Sequence, residues 1–181
     1  MRCRLFGSVA CLVALAMGVV VKAEEDAYFG PQVGLFYPQS TVLKNALGDS
    51  WFSFGASRVR VMDLEQHKLA HDWQAISKRD NGSSIFILTG SIGWVMPIAK
   101  PGSSTEPYFA LRGGLAYMDY AVDTPGGRES GKRIGMNANA ALGMLVSKRL
   151  NVEARYDVWS GQSGLNFNGL TLSARYGIVR F

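Results

Sequence analysis

The chain is 181 residues long, has a formal net charge of +5, and contains 21 glycines but only two cysteines. After Glu24 no apolar run approaches the roughly 20 residues that a membrane-spanning helix needs, so a helical membrane protein is excluded for that part. The length suits one domain with a sizeable core.

The first 23 residues have the pattern of a secretory signal peptide. Arg2 and Arg4 precede an apolar run from Leu5 to Val21, and Ala23 stands where a signal peptidase cleaves. We therefore predict a signal peptide over residues 1–23 and one domain over residues 24–181. Cleavage would remove three basic residues and lower the net charge to +2, so nucleic acid is not an expected partner.

Both cysteines, Cys3 and Cys11, lie in the predicted signal peptide. The mature chain would therefore have no disulfide, no thiolate metal ligand and no cysteine nucleophile.

The rest of the chain alternates apolar and polar residues with a period of two. Successive side chains of a strand point to opposite faces, so each such segment predicts a strand with one apolar face. The clearest case is Leu150 to Trp159, where Leu150, Val152, Ala154, Tyr156 and Val158 alternate with Asn151, Glu153, Arg155, Asp157 and Trp159. The segment that starts at Ile134 has the same pattern, and Ser147 to Arg149 between the two predicts a hairpin turn.

Similar stripes predict about eight strands, the number that leaves a barrel interior just wide enough for side chains. They begin at Phe29, Trp51, Leu69, Phe86, Phe109, Ile134, Leu150 and Leu170, and the segment Leu69 to Lys78 is the least regular. The predicted fold is an all-β, antiparallel up-and-down barrel.

The composition of the two faces favours a barrel in a membrane over a soluble sandwich or a lipocalin-like binder. In a membrane barrel the apolar face points out to lipid, and small or paired polar residues fill the interior. The polar faces here are rich in Gly, Ala, Ser and Asn. Aromatic residues near the segment ends predict interfacial girdles: Tyr28, Tyr37, Trp51, Trp94, Tyr108, Tyr120, Trp159 and Tyr176.

Three segments resemble the OmpA-like outer-membrane β-barrel domain family. They are PYFALRGG at residues 107–114, LNVEARY at 150–156 and LTLSARYGIVRF at 170–181. The resemblance implies a location in the bacterial outer membrane, contact with its lipids, and recognition by the outer-membrane assembly machinery of a terminal aromatic residue, here Phe181.

Five charged residues fall on predicted inward faces: Arg112, Glu153, Arg155, Asp157 and Arg175. Charges in an interior of low dielectric must be paired, which predicts an ion-pair network that closes the lumen. A structural or surface-interaction role follows, with an unidentified surface partner. A narrow channel for small solutes is the alternative.

An enzyme, a metal site and a phosphate site are all disfavoured by the residues present. A lipid-modifying enzyme would need a general base beside a hydroxyl nucleophile, and the only histidines are His67 and His71. These two lack an evident third metal ligand. The segment Gly126 to Arg133 has Arg133 where a phosphate-binding loop needs a Ser or Thr to hold magnesium, so it predicts a surface loop. No cofactor is expected.

An even strand number places both termini on one side of the membrane, which we predict to be the periplasm. The segments Pro38 to Asp49, Val122 to Lys132 and Ser160 to Asn168 would then be external loops, and the turn Ser147 to Arg149 would be periplasmic.

Overall fold

The computed structural model describes residues 27–60, 69–98, 105–147, 149–160 and 164–180. The predicted signal peptide, the predicted assembly residue Phe181, and His67 lie outside these ranges.

The described chain forms one closed antiparallel β-sheet. Neighbouring strands along the sequence form hairpins, and the two short strands at the end both pair with the first strand, which closes the sheet into a barrel. The eight-stranded up-and-down barrel predicted from alternation is therefore confirmed. The elements are β1 Ala27–Pro38, α1 Thr41–Leu47, β2 Trp51–Arg60, β3 Leu69–Asp80, β4 Ser83–Pro97, β5 Glu106–Thr124, β6 Gly127–Leu145, β7 Leu150–Trp159, β8 Gly169–Tyr176 and β9 Val179–Arg180.

The short strand β9 continues β8 after a one-residue bulge. Gln32 pairs with Arg175 and Phe29 pairs with Val179, so the last strand has one residue more than β1 between these two pairs. Such an insertion breaks the alternation of faces, and Ile178 and Val179 are consequently both exposed. The eight predicted strands thus include β8 and β9 as one interrupted strand.

The apolar faces of the strands point outward and the polar faces point inward. On β7, for example, Val158 is 43% exposed whereas Arg155 is 1% exposed. A soluble barrel has the opposite arrangement, because its apolar side chains must leave water.

Two predicted loops contain regular structure. Val122 to Lys132 was expected to be a loop, yet β5 extends to Thr124 and β6 starts at Gly127, so only Pro125 and Gly126 form the turn. The prediction was wrong because the cross-strand pairs that stabilise a long hairpin outweigh the turn-forming residues of this segment. The segment Pro38 to Asp49 contains α1, which the sequence reading missed.

The helix α1 caps the barrel interior. The hydroxyl of Ser40 accepts a hydrogen bond from the backbone N–H of Leu43, which provides an N-cap, and Leu43 and Leu47 are fully buried. The indole of Trp51 donates to the backbone carbonyl of Gly48 at 3.1 Å and holds the end of the helix. No helix in the described residues is long and apolar enough to cross a membrane.

Half of the aromatic residues predicted for the interfacial girdles lie inside the barrel instead. Trp51, Tyr108, Tyr120 and Trp159 are at most 5% exposed. Position near a strand end was the wrong criterion, because the face of a strand residue is set by its parity. Trp159, for example, shares the inward face of Asp157 and Arg155.

Candidate functional site

The barrel interior contains six buried charged residues among those described. They include all five predicted luminal residues, and the sixth, Asp72 on β3, was not predicted. The formal charges of the set sum to zero, because it contains three arginines and three carboxylates: Arg112, Arg155, Arg175, Asp72, Glu153 and Asp157. A balanced interior avoids the large cost of burying an unpaired charge.

Glu153 on β7 is held by two residues of β5. Arg112 donates from Nη1 to Oε1 at 3.0 Å and from Nη2 to Oε2 at 2.7 Å, which is a two-point guanidinium–carboxylate pair. The hydroxyl of Tyr108 donates to Oε2 at 2.7 Å and lies 3.0 Å from Oδ1 of Asn151. Because β6 lies between β5 and β7, these side chains pass over the inner face of β6 to reach each other.

Asp72 connects two arginines from different strands. Its Oδ2 accepts from Nη1 of Arg155, and its Oδ1 accepts from Nη2 of Arg175 at 3.1 Å. Arg155 also donates from Nε to Asp157 at 3.0 Å, and Arg175 donates to Gln32 at 2.7 Å. One carboxylate on β3 therefore links β7 and β8 across the lumen and joins the network to β1.

Neutral polar side chains surround the ionic groups. Thr171 donates to Asp157 at 3.2 Å, and Gln74 donates to Ser53 at 2.6 Å and lies 3.2 Å from the hydroxyl of Thr171. Nε of Arg112, Nη2 of Arg155 and Nε of Arg175 have no hydrogen-bond partner among the described residues. The network is thus balanced in charge but not saturated in hydrogen bonds.

An apolar plug fills the barrel on the side of α1. The ring centroids of Phe36 and Trp51 are 5.2 Å apart, those of Phe36 and Trp159 are 5.6 Å apart, and those of Tyr120 and Phe167 are 5.3 Å apart. Aromatic pairs at these distances are stabilising beyond the area they bury. The plug residues are Phe36, Leu43, Leu47, Trp51, Ile76, Ile85, Ile87, Ala116, Met118, Tyr120, Val122, Trp159, Leu165 and Phe167.

The hairpin of β5 and β6 extends beyond the neighbouring strand β7. Pairing between β6 and β7 begins at Asn137 and Trp159, so Gly127 to Met136 pair with β5 alone among the described strands. Two exposed ion pairs connect the hairpin strands, Arg128 with Asp123 at 3.1 Å and Lys132 with Asp119 at 3.3 Å. Because Met136 still bonds to Ser160, the nine residues from Gly127 to Gly135 form a sheet edge among the described residues.

The described residues include one of the two histidines and contain no cluster of possible metal ligands. His71 is exposed on β3 and pairs in register with Ile92, and no group of three or more His, Cys, Asp or Glu side chains could hold a metal ion in the described ranges. His67 lies outside these ranges, so the prediction that His67 and His71 do not form a metal site stays a prediction.

Sequence reasoning missed Asp72 and Tyr108 as members of the interior network. Asp72 alternates with Trp73 and shares its face with Gln74, but the segment from Leu69 was too irregular for its inward face to be assigned. Tyr108 shares the parity of Arg112, which is the signal that would have placed it inside.

No protein-family model matches the chain, and no curated protein sequence matches it either. Solved structures do match. Neisserial surface protein A is 15% identical, and the match covers 85% of this chain and 98% of that one with a TM-score of 0.56. The N-terminal β-barrel domain of Pseudomonas aeruginosa OprF is 12% identical over 85% and 98%, with a TM-score of 0.54.

The outer-membrane enzyme PagL also matches, at 15% identity over 84% of this chain and 99% of that one, with a TM-score of 0.51. The chain shares the barrel fold of these outer-membrane proteins. At identities this low the likeness establishes the fold and leaves the activity to be argued from the residues.

Proposed function

We propose that this protein is an integral outer-membrane β-barrel of the OmpA-like kind, with a closed lumen and a role at the cell surface. The outward apolar faces and the barrel fold shared with outer-membrane proteins support the location. The predicted export signal agrees with it. In this proposal the mature barrel contacts outer-membrane lipids, and the outer-membrane assembly machinery recognises Phe181.

The observation that carries the proposal is the double closure of the interior. A layer of paired charges spans the lumen, and the apolar plug with α1 lies beyond it. A conducting pore needs a continuous hydrated path with solvated polar groups. The narrow channel is therefore the weaker candidate.

Recordings on refolded protein in planar bilayers test this closure. We expect no steady open-channel current, for the wild type and for a variant with an exposed substitution such as Lys132→Ala. Steady currents in the wild type would overturn the closed-lumen proposal.

A catalytic role is also weaker, although PagL shows that this fold can carry an enzyme. Hydroxyl nucleophiles need an adjacent base. His71 lies on an outward face at the end of β3 opposite to the plug, where its register partner is Ile92. A non-enzymatic barrel fits this arrangement best.

The free edge of β6 is the surface that we assign to partner binding. An unpaired strand edge presents N–H and C=O groups that can pair with an extended segment of another protein. The backbone of Met136 bonds to Ser160 on the β7 side of β6. The backbone groups of alternate residues, including Ser130, point to that same side, where no described strand pairs with them.

Substitutions at Ser130 test this assignment. Ser130→Pro removes one N–H from the free edge, whereas Ser130→Ala keeps it and serves as the matched control. We expect refolded protein to bind saturably to at least one purified matrix or serum protein, with binding lost in Ser130→Pro and kept in Ser130→Ala. Equal binding by both folded variants would remove the edge from the proposal.

A further inference from the structure

A cleft separate from the free edge of β6 lies between α1 and the tips of two hairpins. Its volume is about 300 Å³, within the lower range of small-ligand sites. One wall is a face of α1 and the other is formed by the β3–β4 and β5–β6 turns. The lining residues are Thr41, Val42, Asn45, Ala46, Asn81, Ser83, Asp123 and Pro125.

Both walls of the cleft are held in place by contacts outside it. The helix wall is anchored by the buried side chains of Leu43 and Leu47. The turn wall is tied together by Arg128, which donates to Asp123 at 3.1 Å and to the backbone carbonyl of Gly82 at 3.1 Å. Ser83 adds a further tie, because its hydroxyl accepts from the backbone N–H of Asp123 at 3.1 Å. A cleft formed in advance loses little entropy when it binds.

The chemistry of the lining selects a neutral ligand with several hydroxyl groups. The amides of Asn45 and Asn81 can both donate and accept hydrogen bonds, and the Asp123 carboxylate accepts. Arg128 neutralises that carboxylate, so neither a free cation nor a free anion is favoured. Val42, Ala46 and Pro125 supply apolar surface beside these polar groups.

We propose that this cleft binds a monosaccharide unit of a neutral glycan. Sugar hydroxyls match the mixed donors and acceptors, and the C–H face of the sugar ring matches the apolar lining. The position of the cleft beside the turns makes it accessible from the side that the proposed topology places outside the cell. The binding itself depends on neither the orientation of the barrel nor the free edge of β6.

Saturation-transfer NMR on refolded protein in a zwitterionic detergent tests the proposal, with glucose, galactose and N-acetylglucosamine as probes. Acetate and tetramethylammonium serve as charged probes. We expect saturable binding of at least one sugar with a dissociation constant on the order of millimolar, as suits so small a ligand.

Three variants locate the binding. Ala46→Phe fills the cleft and Asn45→Ala removes an amide from it, so each should reduce the sugar signal at least about tenfold, which corresponds to roughly 1.4 kcal/mol. Lys44→Ala, on the same helix but outside the lining, should leave the signal unchanged. The proposal is overturned if no sugar binds, if Ala46→Phe and Asn45→Ala bind as the wild type does, or if only a charged probe binds.

Discussion

The ring of Tyr108 lies directly across the inner face of Gly143, its cross-strand partner on β6. This position lets the phenol pass over β6 and reach Glu153 on β7 at 2.7 Å. A side chain at position 143 would occupy the space of the ring. Glycine is therefore required here by a close approach and not by a turn, and it connects the packing of β6 to the interior charges.

The substitution Gly143→Ala tests that relationship. A Cβ at this position would overlap Cζ and Oη of Tyr108, so the ring must leave its place and its hydrogen bond to Glu153. We expect a lower free energy of unfolding, by about 1 to 3 kcal/mol as is usual for overpacking. Urea unfolding of protein folded in lipid vesicles measures the change.

Tyr108→Phe is the matched variant, because it keeps the ring and removes only the hydroxyl. It should cost less than Gly143→Ala, since Arg112 still holds Glu153 with two hydrogen bonds. A Gly143→Ala variant as stable as the wild type would mean that the ring has room to move.

The interior ion pairs give the second prediction. Asp72→Ala would leave Arg175 with Gln32 as its remaining partner, and Arg155 would lose one of the two carboxylates that it contacts. Glu153→Ala would leave Arg112 with Asn139, at 3.4 Å, as its remaining partner. We expect each substitution to lower the free energy of unfolding by about 3 to 5 kcal/mol, the usual cost of stranding a buried charge.

Asp119→Ala provides the control, because its pair with Lys132 is exposed and is worth at most about 1 kcal/mol. The same unfolding measurement applies to all three variants. If the interior substitutions cost no more than the control, the lumen is hydrated and the channel regains support.

The barrel could be predicted from the sequence because its signal is local. On β7 the alternation is uninterrupted, so the inward residues Glu153, Arg155 and Asp157 were assignable from parity alone. Alternation alone does not say which face points inward. The small polar residues on one face favoured a membrane barrel, in which lipid rather than water receives the apolar face.

The contacts between those residues were not predictable, because they depend on which strands face each other across the lumen. Asp72 reaches Arg155 over 83 positions of sequence and Arg175 over 103. The plug was missed for a related reason. Trp51 and Trp159 were expected to be interfacial aromatics near strand ends, and only closure of the sheet and the fold of α1 bring them into one interior cluster.

The third prediction concerns the lipid face. Leu142 is 60% exposed on β6, within a run of outward apolar residues from Ile134 to Val146. Arginine near the middle of a lipid-facing strand costs about 2 to 4 kcal/mol, so Leu142→Arg should strongly reduce stability in vesicles. Ser130→Arg, on the projecting part of β6, should have little effect. Equal stability of the two variants, together with solubility in plain buffer, would favour a soluble barrel.

The last prediction concerns the orientation of the barrel in the membrane. The turn at Pro125 and Gly126 lies on the side of α1, and Ser147 lies at the other end of β6, on the side where the described chain begins at Ala27 and ends at Arg180. If the termini are periplasmic, a cysteine at 126 faces the medium and a cysteine at 147 faces the periplasm. The predicted mature chain has no cysteine of its own, so a label on a single-cysteine variant can be attached only at the introduced cysteine.

Intact cells that express Gly126→Cys or Ser147→Cys are treated with a maleimide that does not cross the outer membrane. We expect labelling of Gly126→Cys in intact cells, and labelling of Ser147→Cys only after the outer membrane is permeabilised. Both positions are exposed in the fold, so a difference between them reports access across the membrane and not burial. The reverse pattern would invert the barrel, and would place both the free edge of β6 and the cleft beside α1 in the periplasm, where partners from outside the cell do not reach them.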